Sequence, residues 1–397
     1  MPALPLPDPA LIAVIGAASA GKSTFMARHF APDELFTSAD LEAVSARLRS
    51  GQRAVVEATA VRPDERRALV ALARAHDLPA VAVVLDLPRP LLEARQAARG
   101  LDAGAVLAQV AELRRTSGAL RQEGFRQAHV LRSPQEVGAV QVRRVPLAPD
   151  RSDLRGPFDF IGDVHGCLPE LRELLSRLGY DPSGEGVTPP PGRTAVFLGD
   201  LTDRGPDSAG VLRLVMEMVR RGAALCVAGN HDEKLRRALE GRSVNPDHGL
   251  EATLEALGEA GVAFRRDILA FLTGLPDHLV LDGGRVVAAH AGLPERYHGR
   301  LGGRVRSFTL YGDVSGQTDE FGLPVRRDWA ADYQGRALVV YGHTPHTAPR
   351  WLNHTVNIDT GCAFGGALTA LRYPEREQVS VPARAQYAAP RRPLDQP

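Results

Sequence analysis

The stretch Phe158-Asp159-Phe160-Ile161-Gly162-Asp163-Val164-His165-Gly166 indicates how the second half of this 397-residue chain folds. Its first four residues predict a β-strand, and an aspartate and a histidine follow where that strand ends. Other predicted strands also end directly in polar residues: Ala195–Leu198, Ala224–Val227, Val286–Ala289, Leu338–Tyr341 and Thr355–Ile358. Because α/β sheets place their sites at the carboxyl ends of strands, this half is predicted to be an α/β domain with a polar site at one sheet edge.

Five short motifs follow these strands and combine aspartate, asparagine and histidine. They are Gly162-Asp163-Val164-His165-Gly166, Gly199-Asp200-Leu201-Thr202-Asp203-Arg204-Gly205, Gly229-Asn230-His231-Asp232, His290-Ala291-Gly292 and Gly342-His343-Thr344. Carboxylate and amide oxygens mixed with imidazoles suit Mn²⁺, Fe or Zn better than Ca²⁺. Since one aspartate can bridge two cations and form a clamp for attack on phosphorus, the motifs predict a binuclear metal site.

The first half of the chain carries a different pattern, Gly16-Ala17-Ala18-Ser19-Ala20-Gly21-Lys22-Ser23-Thr24, which fits GxxxxGK[ST]. It follows a predicted strand, Leu11–Ile15, and precedes a potential helix, which is the context that this motif requires. The backbone N–H groups of such a loop surround phosphate oxygens, its lysine contacts the β- and γ-phosphates, and its serine ligates Mg²⁺. The residues predicted to bind ATP and Mg²⁺ are Gly16, Ser19, Gly21, Lys22, Ser23 and Thr24.

Two further features of the first half suit phosphoryl transfer. Asp40 follows the short predicted strand Leu35–Thr37 and could accept the proton of an attacking hydroxyl, or it could cap the helix predicted over Leu41–Arg49. Arg95 and Arg99 lie on one face of a predicted helix and could close over the transferring phosphates. In a chain this rich in arginine, solvated side chains are the alternative.

Alternation of apolar strands and amphipathic helices predicts a parallel sheet with helices on both faces in the first half. We therefore expect an α/β protein with a P-loop kinase domain over residues 1–145 and an α/β sandwich domain, which carries the five metal motifs, over residues 157–383. Residues 146–156, rich in proline, aspartate and arginine, are predicted to be the linker. Residues 384–397 are predicted to be a mobile tail rich in proline and arginine.

The composition excludes several classes of protein. The formal net charge of +1 argues against a protein that coats nucleic acid along its length. Of the 48 basic residues, only Lys22 and Lys234 are lysine, so the lysine in the P-loop is an informative exception. Three distant cysteines predict no disulfide framework, and no apolar run is long enough to span a bilayer. We expect a soluble, cytoplasmic protein without a membrane partner.

The five motifs of the second half resemble those of the binuclear metallophosphoesterases, in the branch that contains the phosphoprotein phosphatases. The resemblance implies two divalent cations, with Mn²⁺ expected, and these ligands: Asp163 and His165 for the first, Asp200 as the bridge, and Asn230, His290 and His343 for the second. It also implies that His231 protonates the leaving oxygen and that Asp203 orients it. Arg204 would grip the phosphate through its planar guanidinium.

The whole chain resembles the bacterial polynucleotide kinase-phosphatases of RNA end repair, in which a P-loop kinase precedes a metallophosphoesterase. The run Asn357-Ile358-Asp359-Thr360-Gly361-Cys362 extends the match, and in that family the equivalent of Asp359 belongs to the phosphatase site. The implied function is phosphorylation of 5′-OH ends with ATP and removal of 2′,3′-cyclic, 2′- or 3′-phosphates. The partners would be RNA ends and a separate ligase; the sequence does not indicate the oligomeric state.

Two alternatives stay open from the sequence. A phosphoprotein phosphatase or a diadenosine tetraphosphate hydrolase would share the metal motifs. The first half could also be an ATP-binding regulatory module without transferase activity, because Ala43 stands where the family kinase has an arginine and the segment after Asp40 is short.

Overall fold

The protein is described from a computed structural model that covers residues 3–102, 104–181, 187–391 and 394. The chain divides into two compact units, one formed by Met1–Leu147 with Arg300–Gly302 and one formed by Ala148–Gly299 with Gly303–Pro397. This division lies close to the domain boundary predicted from the sequence.

The first unit is a P-loop-like α/β domain. Its strands are β1 (Ala3–Asp8), β2 (Leu11–Gly16), β3 (Leu35–Thr37), β4 (Ala54–Ala58), β5 (Ala80–Leu85), β6 (Gln127–Leu131) and β7 (Gln141–Pro146). Its helices are α1 (Lys22–His29), α2 (Leu41–Arg49), α3 (Pro63–Ala75), α4 (Arg89–Ala97), α5 (Gly104–Thr116) and α6 (Pro134–Ala139). Five of the strands form a parallel sheet in the order β3-β4-β2-β5-β6, with β2 at its centre.

Alternate residues of the central strand β2 face opposite sides of that sheet, as the period of two requires. Leu11, Ala13 and Ile15 pack with helices α2 and α3, whereas Ile12 and Val14 pack with helices α1, α4 and part of α5. The predicted arrangement of a parallel sheet with helices on both faces is therefore confirmed.

The sequence analysis did not predict two short pairings. Strands β1 and β7 pair in parallel to form a separate two-stranded sheet. The segment predicted as a linker contains β8 (Asp150–Arg151), which pairs in parallel with Val280 and Leu281 of the second unit. A two-residue strand with no apolar alternation leaves no periodic signal, because its position depends on a partner far away in the chain.

The second unit is an α/β sandwich. Its remaining strands are β9 (Phe158–Ile161), β10 (Thr194–Phe197), β11 (Ala224–Cys226), β12 (His278–Leu281), β13 (Val286–Ala289), β14 (Val314–Thr318), β15 (Pro324–Arg326), β16 (Leu338–Tyr341), β17 (Arg350–Leu352), β18 (Thr355–Asn357), β19 (Ala367–Tyr373) and β20 (Glu377–Pro382). Its helices are α7 (Leu168–Arg177), α8 (Ser208–Arg220), α9 (Asn230–Leu239), α10 (Leu250–Glu259), α11 (Val262–Gly274) and α12 (Gly303–Tyr311).

Two mixed sheets form the centre of this sandwich. One has the order β11-β10-β9-β19-β20 and the other has the order β17-β18-β16-β13-β12-β8. Apolar residues from both sheets share one core, which includes Phe160, Val196, Val286, Val340 and Val356. Helices α7, α8, α10 and α11 pack on the outer face of the first sheet, and helix α12 packs on the outer face of the second. This layering brings the carboxyl ends of strands from both sheets to one edge of the sandwich.

The start of the predicted tail packs against the second unit. The Arg384 N–H donates to Glu170, and the N–H groups of Tyr387 and Ala388 donate to the carbonyl of Ala363. The rest of the predicted mobile segment includes residues 392, 393 and 395–397, which lie outside the described residues. In the part of the chain that the structure describes, no helix combines the length and the apolar character needed to cross a bilayer.

Candidate functional site

Five of the six predicted metal ligands, together with the predicted catalytic residue Asp359, lie at the carboxyl ends of six strands of the second unit. Asp163 follows β9, Asp200 follows β10, Asn230 begins α9 after β11, His290 follows β13, His343 follows β16, and Asp359 follows β18 in the same way. Asp163, Asp200, His290 and Asp359 are buried, as is His165, while Asn230 and His343 are half-buried. Residues that are as much as 180 positions apart in the chain are thus in direct contact.

The loops that carry these residues are tightly folded. His165, Asp200, Asp203, Arg204 and His343 all have positive φ angles, between 45° and 73°, which side chains other than glycine rarely adopt. Such backbone strain is concentrated at functional sites, where the surrounding structure holds it in place.

Glycine is required where two of these loops meet. A Cβ atom on Gly229 would lie 2.2 Å from Oδ1 of Asp200, and a Cβ atom on Gly199 would lie 2.4 Å from the Gly229 nitrogen. The glycines that precede Asp200 and Asn230 in the sequence motifs therefore allow their backbones to pack directly against each other.

Hydrogen bonds fix the tautomers of two histidines. Nδ1 of His290 lies 3.0 Å from the carbonyl of Leu198, and Nδ1 of His165 lies 2.9 Å from the carbonyl of Thr202. Because a carbonyl can only accept, both Nδ1 atoms donate, and each neutral ring presents the lone pair of Nε2. Histidines that ligate metals are held by such second hydrogen bonds.

The lone pairs face other acceptors. Nε2 of His290 lies 2.9 Å from Oδ1 of Asn230 and 3.4 Å from Oδ1 of Asp200, and Nδ1 of His343 lies 2.8 Å from the same Asn230 oxygen. Nε2 of His165 lies 3.5 Å from Oδ2 of Asp200. Lone pairs that converge in this way fit divalent cations, with Asp200 placed between the two groups. At this centre, two groups of three residues each bring their donor atoms within 4.8 Å of one another. The first group is His165, Asp200 and His231, and the second is Asp200, His290 and His343.

Buried carboxylates add negative charge to this centre. Burial raises the pKa of Asp200 to about 7 and that of Asp359 to about 6. Burial, together with the charges of Asp359 and Asp200, raises the pKa of Asp163 well above its ordinary value. Cations would stabilise the ionised carboxylates that burial otherwise disfavours.

Asp163 is placed differently from the other predicted ligands. Its carboxylate accepts from the N–H of His343 at 3.1 and 3.3 Å and lies beside Asp359. Neither of these two groups at the metal centre includes Asp163. The first group contains His231 instead, so the assignment of Asp163 to the first cation stays a prediction.

The predicted acid His231 is held by a chain of hydrogen bonds. Its Nδ1 lies 2.7 Å from Oδ2 of Asp203, and Oδ1 of Asp203 accepts from the hydroxyl of Thr253, also at 2.7 Å. Arg204 lies 3.1 Å from Nε2 of both His231 and His165 and packs over the ring of Phe364. Burial and the charge of Arg204 lower the pKa of His231 well below its ordinary value, while burial raises the pKa of Asp203 to about 6.

Sequence reasoning missed two residues that support these groups. Thr253 lies 50 residues after Asp203 on helix α10, in a segment with no recognisable motif. Asp232 was quoted as the last residue of a motif but received no role. Its carboxylate accepts from the N–H groups of Leu201 and Gly229, both at 3.0 Å, and joins the two loops that carry Asp200 and Asn230.

In the first unit, the predicted phosphate loop joins the central strand β2 to helix α1, with Ser23 and Thr24 in the first turn of the helix. The Lys22 ammonium donates to the carbonyls of Gly16 and Ala17 at 3.0 and 3.1 Å, and burial lowers its pKa. Gly21 has a φ of 89°, which favours glycine. The loop lines a cavity of about 460 Å³ together with Arg28, Arg95 and Arg99.

The two predicted lid arginines contact the phosphate loop, whereas the predicted base Asp40 is bonded to its neighbour Thr37. Arg95 donates to the Ser19 carbonyl at 3.0 Å, and Arg99 donates to the Ser19 hydroxyl at 3.3 Å, so both reach the phosphate loop. Asp40 is exposed and accepts from the N–H and hydroxyl of Thr37. It precedes helix α2, but its side chain makes no capping hydrogen bond there. The hydrogen bonds from Thr37 lower the pKa of Asp40, which makes it a weaker base.

Comparison with known proteins identifies the class of the second unit. A sequence profile described as calcineurin-like phosphoesterase matches residues 156–347, and one described as an AAA domain matches residues 33–120. Curated relatives of the second unit match over nearly their whole length. The chain belongs to the calcineurin-like phosphoesterase family.

The relatives carry a more specific name, bis(5′-nucleosyl)-tetraphosphatase PrpE [asymmetrical]. That of Anoxybacillus flavithermus is 47% identical over 243 residues, which are 60% of this chain and 99% of the relative. That of Halalkalibacterium halodurans is 50% identical over 231 residues, which are 57% of this chain and 94% of the relative. A solved structure provisionally named a diadenosine tetraphosphatase has 25% identity and a TM-score of 0.44, and it covers 60% of this chain and 99% of its own. The names of the curated relatives support the alternative of a diadenosine tetraphosphate hydrolase better than the RNA end-repair interpretation.

Proposed function

We propose that the second unit is a metal-dependent hydrolase of bis(5′-nucleosyl) tetraphosphates that cleaves them asymmetrically. Addition of one water would then give one nucleoside triphosphate and one nucleoside monophosphate. The observation that carries this proposal is the 47% identity to a tetraphosphatase over 99% of that relative's length. The converging ligands of the second unit supply the chemistry that such a reaction needs.

We assign the cation ligands as the resemblance implies. Asp163 and His165 would hold one cation, Asp200 would bridge, and Asn230, His290 and His343 would hold the other. Two divalent cations there would neutralise the charge of the polyphosphate and lower the pKa of the attacking water. Mn²⁺ is the cation we expect, because the site mixes carboxylate and amide oxygens with imidazole.

Arg204 and His231 would act on the phosphate and on the leaving group. The Arg204 guanidinium can donate two parallel hydrogen bonds to one phosphate group. As the bond between phosphorus and the bridging oxygen breaks, Nε2 of His231 would give its proton to that oxygen. The bound polyphosphate would raise the low pKa of His231, because a nearby negative charge favours the imidazolium.

A phosphoanhydride depends less on protonation of its leaving oxygen than an alkyl phosphate ester does. A terminal phosphate oxygen has a pKa of about 6, whereas water, and similarly an alcohol, has one of about 16. The nucleoside triphosphate or monophosphate that a tetraphosphate releases therefore leaves with little help from the acid, whereas the alcohol that an RNA 3′-phosphate releases needs the proton of His231 more.

The test incubates the full chain and Mn²⁺ with bis(5′-adenosyl) tetraphosphate, an RNA with a 2′,3′-cyclic phosphate end, and a phosphopeptide. We expect the tetraphosphate to be hydrolysed with the highest kcat/KM and to yield ATP and AMP in equal amounts on anion-exchange chromatography. ADP as the product would overturn the asymmetric cleavage. A preference for the RNA end or the phosphopeptide would overturn the substrate class.

We infer a second function, nucleotide binding at the P-loop, for the first unit. The full GxxxxGK[ST] pattern, the buried Lys22 and the two arginines at Ser19 support it. The more specific function that we propose for this unit is phosphorylation of a 5′-OH end, with Asp40 as the base and Mg²⁺ held by Ser23. Its test is transfer of labelled γ-phosphate from ATP to a 5′-OH oligonucleotide, with loss of transfer in Lys22→Ala and Asp40→Ala. Binding of ATP without transfer would leave the first unit as a nucleotide-binding module.

A further inference from the structure

A second cavity of the second unit adjoins the metal centre. The catalytic cavity, about 570 Å³, contains Asp200, Arg204, His231 and His343, and the second cavity has a volume of about 450 Å³. Pro324, Arg326, His343 and Thr344 line both cavities. The residue His343 therefore borders two spaces of the size that small-molecule ligands occupy, about 300–1,000 Å³.

Trp329 forms one wall of the second cavity. Its ring is half-buried and lies 5.1 Å from the ring of Tyr341 and 6.0 Å from that of Phe308. A Cβ atom on Gly292 would lie 2.0 Å from this indole, so the glycine of the His290-Ala291-Gly292 motif makes room for it. The indole is thus packed against Gly292, Tyr341 and Phe308, and it contributes aromatic surface to the cavity wall.

Polar groups complete the wall. Arg350 makes two hydrogen bonds to the carboxylate of Asp328, at 2.6 and 3.2 Å, and Asp328 is 45% exposed. Arg326, which lines both cavities, donates to the carbonyl of Tyr311. The second cavity therefore offers an aromatic face, a carboxylate and a cation that it shares with the catalytic cavity.

We propose that this second cavity binds one nucleoside of the dinucleoside substrate, with the base against Trp329 and the ribose hydroxyls donating to Asp328. Arg326 then contacts the polyphosphate where it passes from one cavity to the other. A substrate with two nucleosides needs two such spaces joined at the metal centre, and the two cavities meet at His343 and Arg326. This inference rests on the proposed tetraphosphatase function and names a substrate-binding site for it.

The test measures kcat/KM for bis(5′-adenosyl) tetraphosphate and for p-nitrophenyl phosphate, which has no nucleoside, in the full chain with Mn²⁺. Trp329→Ala is expected to lower the ratio of the two values about tenfold, mainly through KM, because base stacking on an aromatic ring contributes to binding at this scale. Trp329→Phe keeps an aromatic face and is expected to retain most of the ratio.

The matched control is Trp351→Ala, because the chain has only two tryptophans and Trp351 lies outside both cavities, 37% exposed and beside Arg376. It should leave the ratio unchanged. If Trp329→Ala fails to fold, the exposed Asp328→Asn is expected to lower the same ratio a few-fold.

The outcomes separate the two claims. If the unsubstituted protein hydrolyses p-nitrophenyl phosphate but not the tetraphosphate, the proposed function is wrong. If it hydrolyses the tetraphosphate and Trp329→Ala and Asp328→Asn both keep the ratio, only the assignment of the second cavity is wrong.

Discussion

The two units hold their phosphate-handling residues in different ways. In the second unit, Asp200, His231 and His290 come from separate loops and are buried, and each side chain has a partner that fixes its orientation. In the first unit, Lys22 is buried inside its loop, whereas Asp40 is exposed and bonded to the neighbouring Thr37.

The two units therefore differ in how many of the side chains proposed for each reaction are held in place before a substrate binds. Fixed dipoles and charges contribute to catalysis because they need no reorganisation during the reaction. Under the proposed functions, the second unit would place cation ligands on one side of the phosphate and Arg204 and His231 on the other. The first unit would have such groups on the nucleotide side only, and the substrate would complete its acceptor side.

The largest effect is expected from replacing Asp200, the proposed bridging carboxylate. Asp200→Ala should lower tetraphosphate hydrolysis on the order of 10³-fold, about 4 kcal/mol, because both cations lose a shared ligand. ATP binding by the first unit, measured by calorimetry, should be retained. The control is Asp267→Ala, which changes an exposed carboxylate on α11. Loss of ATP binding in a folded Asp200→Ala protein would contradict the independence of the two units.

The next largest effect is expected from replacing His231, and its size should depend on the leaving group of the substrate. His231→Asn should lower hydrolysis of an alkyl phosphate about 10²-fold, within the usual range for removal of a general acid. The loss for the tetraphosphate should be several times smaller, because its leaving oxygen is a weaker base. Steady-state rates on both substrates test this, with His354→Asn, an exposed histidine in a turn, as the control. Equal losses on both substrates would exclude His231 as the acid.

Much of this centre could be predicted from the sequence. The glycines, aspartates and histidines directly follow predicted strands, and parallel strands place such residues at one sheet edge. Close packing of Gly199 against Gly229 explains why the motifs begin with glycine. The phosphate loop was also predictable, because its conformation depends on a few residues that are neighbours in the sequence.

Features that depend on distant partners were not predictable. Thr253 supports Asp203 across 50 residues, and its sequence neighbours indicate only an amphipathic helix. Strand β8 consists of two residues whose partners lie about 130 positions later. Arg66 is fully buried in a bidentate pair with Glu123, which lies 57 residues later in the chain.

Metal removal should affect the second unit alone, and the effect should depend on pH. The pKa of Asp200 is raised to about 7 and that of Asp359 to about 6 in the folded protein, against about 3.9 for an unfolded aspartate. A raised carboxyl pKa stabilises the fold below pH 4, and this contribution is lost as pH rises towards 7. Without metal, the ionised carboxylates repel each other at pH 7.5, and Mn²⁺ removes that cost.

We therefore expect Mn²⁺ to raise the Tm of the second unit by about 5–10 °C at pH 7.5, when present at about 100 times its Kd. The increase should be clearly smaller at pH 5, where the cations have to displace protons. Scanning calorimetry with and without EDTA tests this, and the transition of the first unit serves as the internal control. An equal increase at both pH values would mean that cation binding is not coupled to the ionisation of Asp200 and Asp359.

The two lysines provide a matched pair for the first unit. Lys22→Ala should weaken ATP binding about tenfold to thirtyfold, about 1.4–2 kcal/mol, because the loop loses its ammonium group. Lys22→Arg should not restore it, since a planar guanidinium does not fit where a compact ammonium lies between two carbonyls. Lys234→Ala, which removes an ion pair with Asp247, should leave ATP affinity unchanged in the same titration. Unchanged affinity in Lys22→Ala would mean that the loop does not bind the phosphates.

The smallest effect is expected from replacing Thr253, which would act on catalysis only through its hydrogen bond to Asp203. Thr253→Val removes the hydroxyl that donates to Asp203 and keeps the shape of the side chain, so we expect a threefold to tenfold loss of kcat. The pKa of Asp203, already raised to about 6 by burial, should rise further because its ionised form loses a hydrogen bond. The acidic limb of the pH–rate profile should therefore move to higher pH.

Thr309→Val is the control, because Thr309 is equally buried and its hydroxyl donates to the Arg306 carbonyl on its own helix. A loss of kcat in Thr253→Val without a shift of the acidic limb would indicate a packing defect and not a change in the orientation of His231.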